Sequence, residues 1–355
     1  MLHGCSFSSS PSSPSALSRI LLLQLKRIGD AVLTAPSLAA LRAALPDAHL
    51  TLALAGAAAE LGSLFTHADA VLTWTPEKPN LRFWRHLLTR KPDIVLDFSG
   101  TDRSALLALA SRAPVRAGYD KFAQSLLRRR AWNHRSSAQV RELHTIDFHQ
   151  TLLPAAGLPL PAVPDFGHLK IPENTRLPAY LPAQYIVVHP GTAREEKFWP
   201  PERWAAVLDH LHATYGLPLL LTGGTWEFEM RHQQSIFRLV KAPVLDLAGR
   251  ITLPQLAAII ARARMAITVD TAAMHLAAAF QVPQIGLFGP TNPFHWAPRQ
   301  PRAVVLRAGY STPENADSGG PPQPRQASQL MTELSMETVR NAADRLMTAT
   351  ANDLK

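Results

Sequence analysis

The feature that most constrains this chain is an alternation of short apolar runs with longer helix-like stretches, which occurs in each half of the sequence. Such alternation is typical of parallel α/β sheets, in which helices cover both faces of the strands. In the first half it predicts five strands, at residues 20–24, 49–55, 70–74, 94–97 and 115–119. Helices are predicted between them at residues 31–44, 81–89 and 103–111.

The second half repeats this pattern after a segment in which prolines are too frequent for regular elements. It predicts strands at residues 185–189, 217–222, 244–247, 265–269 and 284–288. Helices are predicted at residues 201–214, 227–239, 254–263 and 272–280. A Pro/Gly-rich loop is predicted at 312–325, followed by a closing helix at 335–348.

A length of 355 residues exceeds what one hydrophobic core usually serves, so two domains are expected. A cleft between two such domains would gather ligands at the carboxyl ends of the strands. We predict a disordered tail, a first α/β domain, a proline-rich linker, a second α/β domain and a closing helix, at residues 1–18, 19–160, 161–183, 184–334 and 335–355.

The charge balance favours anionic partners, because 36 basic residues against 27 acidic ones give a formal charge of +9. Nucleic acid, an acidic membrane surface and phosphate-bearing substrates all fit this excess. The single cysteine, Cys5, permits no internal disulfide. No segment reaches the ~20 apolar residues of a spanning helix. Because the Ser/Pro-rich start also fails as a secretory signal, a cytoplasmic protein is expected.

The first candidate site follows the first predicted strand, where the sequence reads Lys26-Arg27-Ile28-Gly29-Asp30. Asp30 has two interpretations at this point. It is either the N-cap of the following helix or a carboxylate that faces the cleft as a general base.

Two glycine-containing turns follow strands of the second half. In the first, Gly191 and Thr192 could offer donors to a phosphate and Lys197 a positive charge; the alternative is a plain turn with a solvated lysine. The second reads Thr222-Gly223-Gly224-Thr225-Trp226-Glu227 and lacks the third glycine of a dinucleotide fingerprint. It is either a ligand-binding turn with an acid for a ribose hydroxyl or a simple strand–helix connection.

The strongest local signal reads Thr268-Val269-Asp270-Thr271-Ala272-Ala273-Met274-His275, where a strand ends and a helix of small residues begins. Free backbone N–H groups at such a helix start, with the Thr271 hydroxyl, form an anion site that suits a diphosphate. His275 could reach the same anion, or it could be a hydrogen-bonded core residue. A second turn after the next strand, at residues 288–293, favours the functional interpretation.

These blocks, in this order, resemble glycosyltransferase family 9, the heptosyltransferases. The family's opening block is matched by ILLLQLKRIGDAVLTAPSLAALRAALP, its mid-chain block by HPGTAREEKFWPPERWAAVL, and its signature by VDTAAMHLAAAFQVPQIGLFGPTNPFHW. The first block and AGYDK at residues 117–121 are most similar to members that add a third, branching heptose to the inner core. The resemblance extends over nearly all of residues 19–347.

The resemblance implies a GT-B fold of two facing Rossmann-like domains with parallel sheets, which transfers heptose from ADP-heptose to lipopolysaccharide inner core with inversion. It assigns Asp30 as the catalytic base that deprotonates the acceptor. Glu227 falls near the acid that holds the nucleotide ribose, with Glu229 as the alternative. The other donor-binding positions that it implies are Thr192, Lys197, Asp270, Thr271, Ala272, Ala273, Met274 and His275.

The resemblance also implies partners and a location. The acceptor would be a lipid-linked phosphorylated oligosaccharide, met at the cytoplasmic face of the inner membrane, and the basic charge suits such peripheral contact. No metal cluster is evident, so the expectation is neither a metal nor a cofactor besides the donor. The alternatives are another nucleotide-sugar donor and a non-catalytic nucleotide-sugar-binding protein. Nucleic-acid binding is disfavoured because no recognisable motif is present.

Overall fold

The computed structural model describes residues 18–309 and 329–352. Each half of the chain forms one six-stranded sheet in which every neighbouring pair of strands is parallel. The first sheet contains β1 (Arg19–Gln24), β2 (His49–Ala55), β3 (Ala70–Trp74), β4 (Ile94–Asp97), β5 (Val115–Tyr119) and β6 (His134–Ser136). The second contains β7 (Ile186–His189), β8 (Leu219–Leu221), β9 (Val244–Asp246), β10 (Met265–Val269), β11 (Gln284–Phe288) and β12 (Ala303–Arg307).

Helices connect these strands and cover the sheets, which confirms the predicted α/β class. The first half contains α1 (Ile28–Val32), α2 (Ala35–Ala44), α3 (Leu81–Arg90), α4 (Asp102–Ala110), α5 (Leu126–Ala131), α6 (Thr145–Gln150) and α7 (Leu152–Ala155). The second half contains α8 (Pro201–Tyr215), α9 (Glu227–Leu239), α10 (Leu253–Ala261), α11 (Ala272–Ala279), α12 (Pro293–Trp296) and α13 (Met336–Asn352). Short 3₁₀ turns include Gly56–Leu64 and Glu195–Lys197.

The two sheets have equivalent strand orders. The first runs β3-β2-β1-β4-β5-β6, and the second, taken from the other edge, runs β9-β8-β7-β10-β11-β12. The order therefore reverses between β1 and β4 in one half and between β7 and β10 in the other. In open α/β sheets such reversal points leave a crevice at the carboxyl ends of the strands, where ligands bind.

One predicted helix, at residues 31–44, is wrong as a single element. The helical path begins earlier, at Ile28, and is broken after Val32, where α2 restarts at Ala35. Pro36 explains the break, because it has no N–H to donate to the Val32 carbonyl and its ring crowds that carbonyl. The chain turns at this point, so α1 is a separate short helix directly after β1.

The predictions omitted the edge strands β6 and β12. β6 reads HRS, which gives no apolar run, because an edge strand needs burial on fewer sides. The predicted linker at 161–183 lies within residues 157–185, all of which the structure describes without helix or strand. Its boundaries with the two domains stay predictions. Residues 1–17 of the predicted tail at 1–18 and the loop at 312–325 lie outside the described residues. Ser18 is wrong as part of a disordered tail, because it is buried and its carbonyl accepts the His49 N–H over 2.9 Å.

The largest hydrophobic cluster passes through both halves of the molecule. It includes Leu22 and Leu52 from the first sheet together with Val187 and Leu220 from the second, all inaccessible to solvent. The 3₁₀ turn at Gly56–Leu64 contacts α10 of the other half, and α1 contacts α11. Among the described helices, none combines the length and apolar character that crossing a membrane requires.

Candidate functional site

The candidate site lies where the two reversal points of strand order face each other. From the first half it receives the segment that follows β1, which leads into α1. From the second half it receives the segments that follow β7 and β10, which lead to residues 190–197 and to α11. Because all these segments leave the carboxyl ends of parallel strands, the fold itself brings them to one cleft.

Gly29 sets how closely the two halves approach in this cleft. A Cβ atom at Gly29 would lie 2.9 Å from Cδ2 of His275 and 3.9 Å from Cα of Ala272. Any side chain here would collide with the start of α11, so the absence of a Cβ lets α1 lie directly against the predicted diphosphate loop. The carboxylate of Asp30 is one residue away from this contact.

Asp30 occupies the first turn of α1, and its N-cap interpretation is wrong. The N-cap position belongs to Arg27, and Asp30 is a half-buried residue inside the helix. Burial raises the pKa of the Asp30 carboxyl above its ordinary value, while Lys26 and the backbone N–H of Arg27 act in the opposite direction. A partly desolvated carboxylate of raised pKa, at the mouth of a cleft, has the properties of a general base.

Lys197 and Asp270, separated by 73 residues in sequence, form an ion pair in the second half. The Lys197 Nζ donates to Asp270 Oδ2 over 2.7 Å and to the Asp270 backbone oxygen over 3.3 Å. Only 12% of the lysine side chain and 8% of the aspartate side chain are exposed. Asp270 thus fixes the position of the ammonium group beside the start of α11. An ammonium group has three N–H bonds, so it can donate to both Asp270 and an incoming anion.

The start of α11 contributes backbone rather than side chains. Thr271 is its N-cap residue in extended conformation, and its hydroxyl makes no capping hydrogen bond. Thr271 and Ala272 are partly exposed, whereas Ala273 and Met274 are buried. Met274 packs in a core cluster with Phe288, so its side chain is not available to a ligand. The N–H groups of this helix start are the part of the loop suited to bind a diphosphate.

His275 is buried between the halves, against Gly29. Burial lowers the pKa of its imidazole to about 4, so the ring is neutral at pH 7 and acts as a hydrogen-bonding group rather than a cation. Among the described residues, its Nδ1 atom has no hydrogen-bond partner. It also lines a cavity of about 20 Å³ between the halves, together with Val32 and Arg299. A purely structural core histidine would normally have both ring nitrogens satisfied.

The two acids considered for the ribose occupy different environments. Glu227 lies on the solvent side of α9, with 82% of its side chain exposed, and pairs with Arg231 at 3.3 Å. Glu229 is only 5% exposed, and its Oε1 accepts the N–H of Gly224 over 2.7 Å. A Cβ atom at Gly191 would collide with the Glu229 carboxylate.

The glycine turns after β7 and β8 therefore enclose Glu229. The structure gathers Glu229 with the buried Thr192, which directly follows Gly191, and leaves Glu227 outside. Burial raises the pKa of the Glu229 carboxyl, and the Gly224 N–H opposes that shift.

Three polar residues of the first half were given no role in the site from the sequence, although Lys26 and Tyr119 lie in segments quoted above. Asp97, at the end of β4, is fully buried and accepts the Trp132 indole N–H over 3.1 Å; burial raises its pKa to about 6. Lys26 places its Nζ 4.9 Å from the centre of the Phe122 ring, and burial lowers its pKa. The buried Tyr119 hydroxyl has no partner in the described part of the chain. The available signal was a polar residue ending or directly following a buried strand.

Polar contacts beside the site join the two halves. Arg299 donates to both carboxylate oxygens of Asp147, over 2.8 and 2.7 Å, and to Asp165 over 3.2 Å. His144 bonds to the Ala297 carbonyl over 3.0 Å. The contacts of His144 and Asp147 connect the N-terminal region of α6 to the residues after α12. Nothing in the local sequence indicated them.

A family model described as glycosyltransferase family 9 (heptosyltransferase) matches residues 80–319 of this chain. A lipopolysaccharide heptosyltransferase 3 from Escherichia coli is 26% identical over 311 residues, which cover 79% of this chain and 86% of the relative. A lipopolysaccharide heptosyltransferase 1 from Pseudomonas aeruginosa is 28% identical over 298 residues, covering 78% and 79% of the two chains.

A solved structure with the same architecture is that of the E. coli ADP-heptose lps heptosyltransferase II. It superposes with a TM-score of 0.75 at 19% identity, over 94% of this chain and 99% of that chain. The likeness shows a shared fold, so the predicted GT-B architecture of two Rossmann-like sheets is confirmed.

Proposed function

The chain belongs to glycosyltransferase family 9, the heptosyltransferases, and from that premise we propose that it transfers heptose from ADP-heptose to the inner core of lipopolysaccharide. The observation that supports this most is the contact of α1 with α11 at Gly29. It places the helix of a candidate base against the helix start of a candidate diphosphate site. Attack and departure could then proceed from opposite sides of one cleft.

In the proposed reaction Asp30 takes the proton of an acceptor hydroxyl while the hydroxyl oxygen bonds to the anomeric carbon of the donor. The bond from that carbon to the diphosphate oxygen breaks, and ADP leaves with the bonding electrons. Attack opposite the leaving group inverts the anomeric carbon. General-base assistance of this kind contributes typically ~10²–10⁴-fold to the rate.

The leaving ADP gains negative charge as the bond breaks, and the second half supplies positive potential at that place. The backbone N–H groups at the start of α11 and the Lys197 ammonium are already oriented, the latter by Asp270. Groups fixed before the reaction stabilise developing charge without reorganising. The neutral His275 ring adds a hydrogen bond rather than a charge. In this proposal the Glu229 carboxylate, and not that of Glu227, binds a ribose hydroxyl of ADP, because Glu229 lies at the glycine turns.

The proposed acceptor is a lipid-linked, phosphorylated oligosaccharide. The relatives are lipopolysaccharide heptosyltransferases, which supports an acceptor of the lipopolysaccharide core. We place the reaction at the cytoplasmic face of the inner membrane, with peripheral contact. The formal charge of +9 supports contact with an anionic acceptor and anionic lipids.

The catalytic assignment is tested by Asp30→Asn. We expect a loss of at least ~10²-fold in kcat, because the amide cannot accept the acceptor proton. Calorimetric titration with ADP should give nearly the wild-type affinity, since Asp30 lies on the first half. Turnover that persists in this variant would remove Asp30 from the chemistry.

The donor assignment is tested by titrating the wild type with ADP, UDP and GDP. Preference for ADP that is weakened about tenfold or more in Lys197→Ala supports the proposal. Arg194→Ala is the matched control, because Arg194 is an exposed cation of the same loop and pairs with Glu196. Preference for UDP or GDP would mean that the donor is not ADP-heptose. Failure to bind any of the three nucleotides would favour a non-catalytic role.

A further inference from the structure

Three helices cover one face of the first sheet and pack their inner sides on a common core. Phe83 and Leu87 of α3, Leu107 of α4 and Ala131 of α5 belong to one buried cluster with the strands beneath them. The outer sides of these helices carry five exposed leucines, namely Leu81, Leu88, Leu106, Leu109 and Leu126. Leu81 and Leu126 are 75% and 76% exposed. We call this outer surface of α3, α4 and α5 the α3–α5 face.

The same face is strongly basic. The three helices contain seven arginines against one acid, Asp102. Asp102 accepts a hydrogen bond from Arg128 Nε over 2.7 Å, so the other six arginines have no acid on these helices to pair with. Six of the seven arginines are exposed, namely Arg82, Arg85, Arg90, Arg103, Arg129 and Arg130.

Leucines interleaved with arginines fit one kind of surface better than others. The boundary between headgroups and acyl chains takes both apolar side chains and cations, and basic helices with leucine or tryptophan bind there in the membrane plane. Anionic headgroups complement the arginines. A nucleic-acid backbone would complement the charge but gains nothing from exposed leucines.

The face is also oriented towards the proposed reaction. Leu81, Arg103 and Leu126 lie in the first turns of α3, α4 and α5, so this part of the face lies on the side of the sheet where the strands end, which is the edge that carries Asp30. Contact of this face with a bilayer would therefore bring the open side of the acceptor half next to lipid-linked molecules.

We propose that the α3–α5 face docks on an anionic lipid bilayer and so delivers the acceptor half to its substrate. The choice of a bilayer as the occupant rests in part on the proposed function, since a lipid-linked acceptor is what requires such contact. The docking itself is a property of the face and does not depend on catalysis.

The test is sedimentation of the purified full chain with vesicles of phosphatidylglycerol and phosphatidylcholine, compared with phosphatidylcholine alone. We expect binding to the anionic vesicles only, and weaker binding as salt rises. Removing the charges in Arg82→Ser/Arg85→Ser should weaken binding roughly 30-fold, taking each arginine near the surface as about fivefold. Leu81→Ser/Leu88→Ser should also weaken binding, and by a similar factor at low and at high salt, because salt does not screen the burial of apolar side chains.

The matched control is Arg238→Ser/Arg250→Ser, which removes two exposed arginines from the second half. Equal loss in this control would show that net charge alone is responsible and would overturn the proposal. Failure of the wild type to bind anionic vesicles would overturn it as well. Self-association in the ultracentrifuge that Arg82→Ser/Arg85→Ser abolishes, without vesicle binding, would reassign the face to a second copy of the chain.

A further assay distinguishes failure of the proposed transferase function from failure of membrane docking. A water-soluble oligosaccharide acceptor without its lipid should be used equally well by the wild type and by Arg82→Ser/Arg85→Ser. No turnover of any acceptor, with vesicle binding intact, would refute the transferase assignment and leave the docking surface standing.

Discussion

Gly29→Ala is expected to slow sugar transfer about tenfold while ADP affinity stays nearly unchanged. The added Cβ would lie 2.9 Å from Cδ2 and 3.5 Å from Nε2 of His275. Carbon atoms in contact prefer about 3.5–4.0 Å, so α1 and the His275 ring must separate by at least about 0.6 Å. The buried His275 ring also faces the Trp296 ring, at 6.4 Å between ring centres, and the cavity that it lines holds only about 20 Å³, which limits how far the ring can move.

The separation acts on rate more than on stability. Overpacking costs ~1–3 kcal/mol, and alanine recovers about 0.5–1 kcal/mol over glycine within a helix, so the free energy of unfolding should fall by only about 1 kcal/mol. A misplacement of ~1 Å between reacting groups can cost about 10²-fold in rate, so a shift of about 0.6 Å corresponds to roughly tenfold or somewhat more. ADP contacts the second half in our proposal, and its affinity should therefore be preserved.

The assay is steady-state heptose transfer with calorimetric ADP titration, run on Gly29→Ala in the wild-type and His275→Ala backgrounds. Without the imidazole the new methyl group has space, so Gly29→Ala should cause no further loss of rate in the second background. A variant that keeps kcat within twofold of the wild type would refute this reasoning. The same tenfold loss in both backgrounds would equally place the effect elsewhere than at this contact.

Two further predictions concern the second half. Glu229→Gln should weaken ADP binding about tenfold or more, as expected for a hydrogen bond to a charged group, whereas the exposed Glu227→Gln should stay within twofold; calorimetry that finds equal effects would contradict the ribose role of Glu229. Burial lowers the pKa of His189, His232 and His275 to about 4. Because the unfolded chain binds these protons below about pH 6.5 and the folded chain only near pH 4, the free energy of unfolding should fall as pH drops through that window, by up to ~3 kcal/mol per histidine. Urea denaturation that shows constant stability from pH 7.5 to 4.5 would be inconsistent with this.

Much of the fold could be predicted because the central strands of both sheets are buried along most or all of their length. The strands at residues 94–97 and 265–269 coincide with their predicted bounds, since burial on both faces produces uninterrupted apolar runs. The edge strand β6 is short and polar and leaves no such run. The split of residues 31–44 into α1 and α2 was signalled by Pro36, which the prediction did not use.

Site residues that directly follow a strand could be predicted from the sequence. Residues whose place depends on the rotation of a helix, or on a contact between distant segments, could not. The segments bearing Asp30 and Asp270 follow strands beside the reversal points, so topology alone brings their segments to one cleft. Glu227 and Glu229 are two residues apart on α9, which rotates their side chains by about 200° relative to each other. Only the packing of that helix decides which one turns inward. The pairing of Lys197 with Asp270 likewise depends on the folded second half.

The hydrophobic cluster that passes through both halves determines how the protein unfolds. Leu22 and Leu52 on one side and Val187 and Leu220 on the other belong to a single packed unit, so neither sheet can lose its structure without exposing apolar surface on its neighbour. Melting should therefore be one cooperative transition in a calorimeter, not two. Relative movement of the halves during turnover is then restricted to small sliding of packed helices, as in shear, instead of free rotation about a hinge.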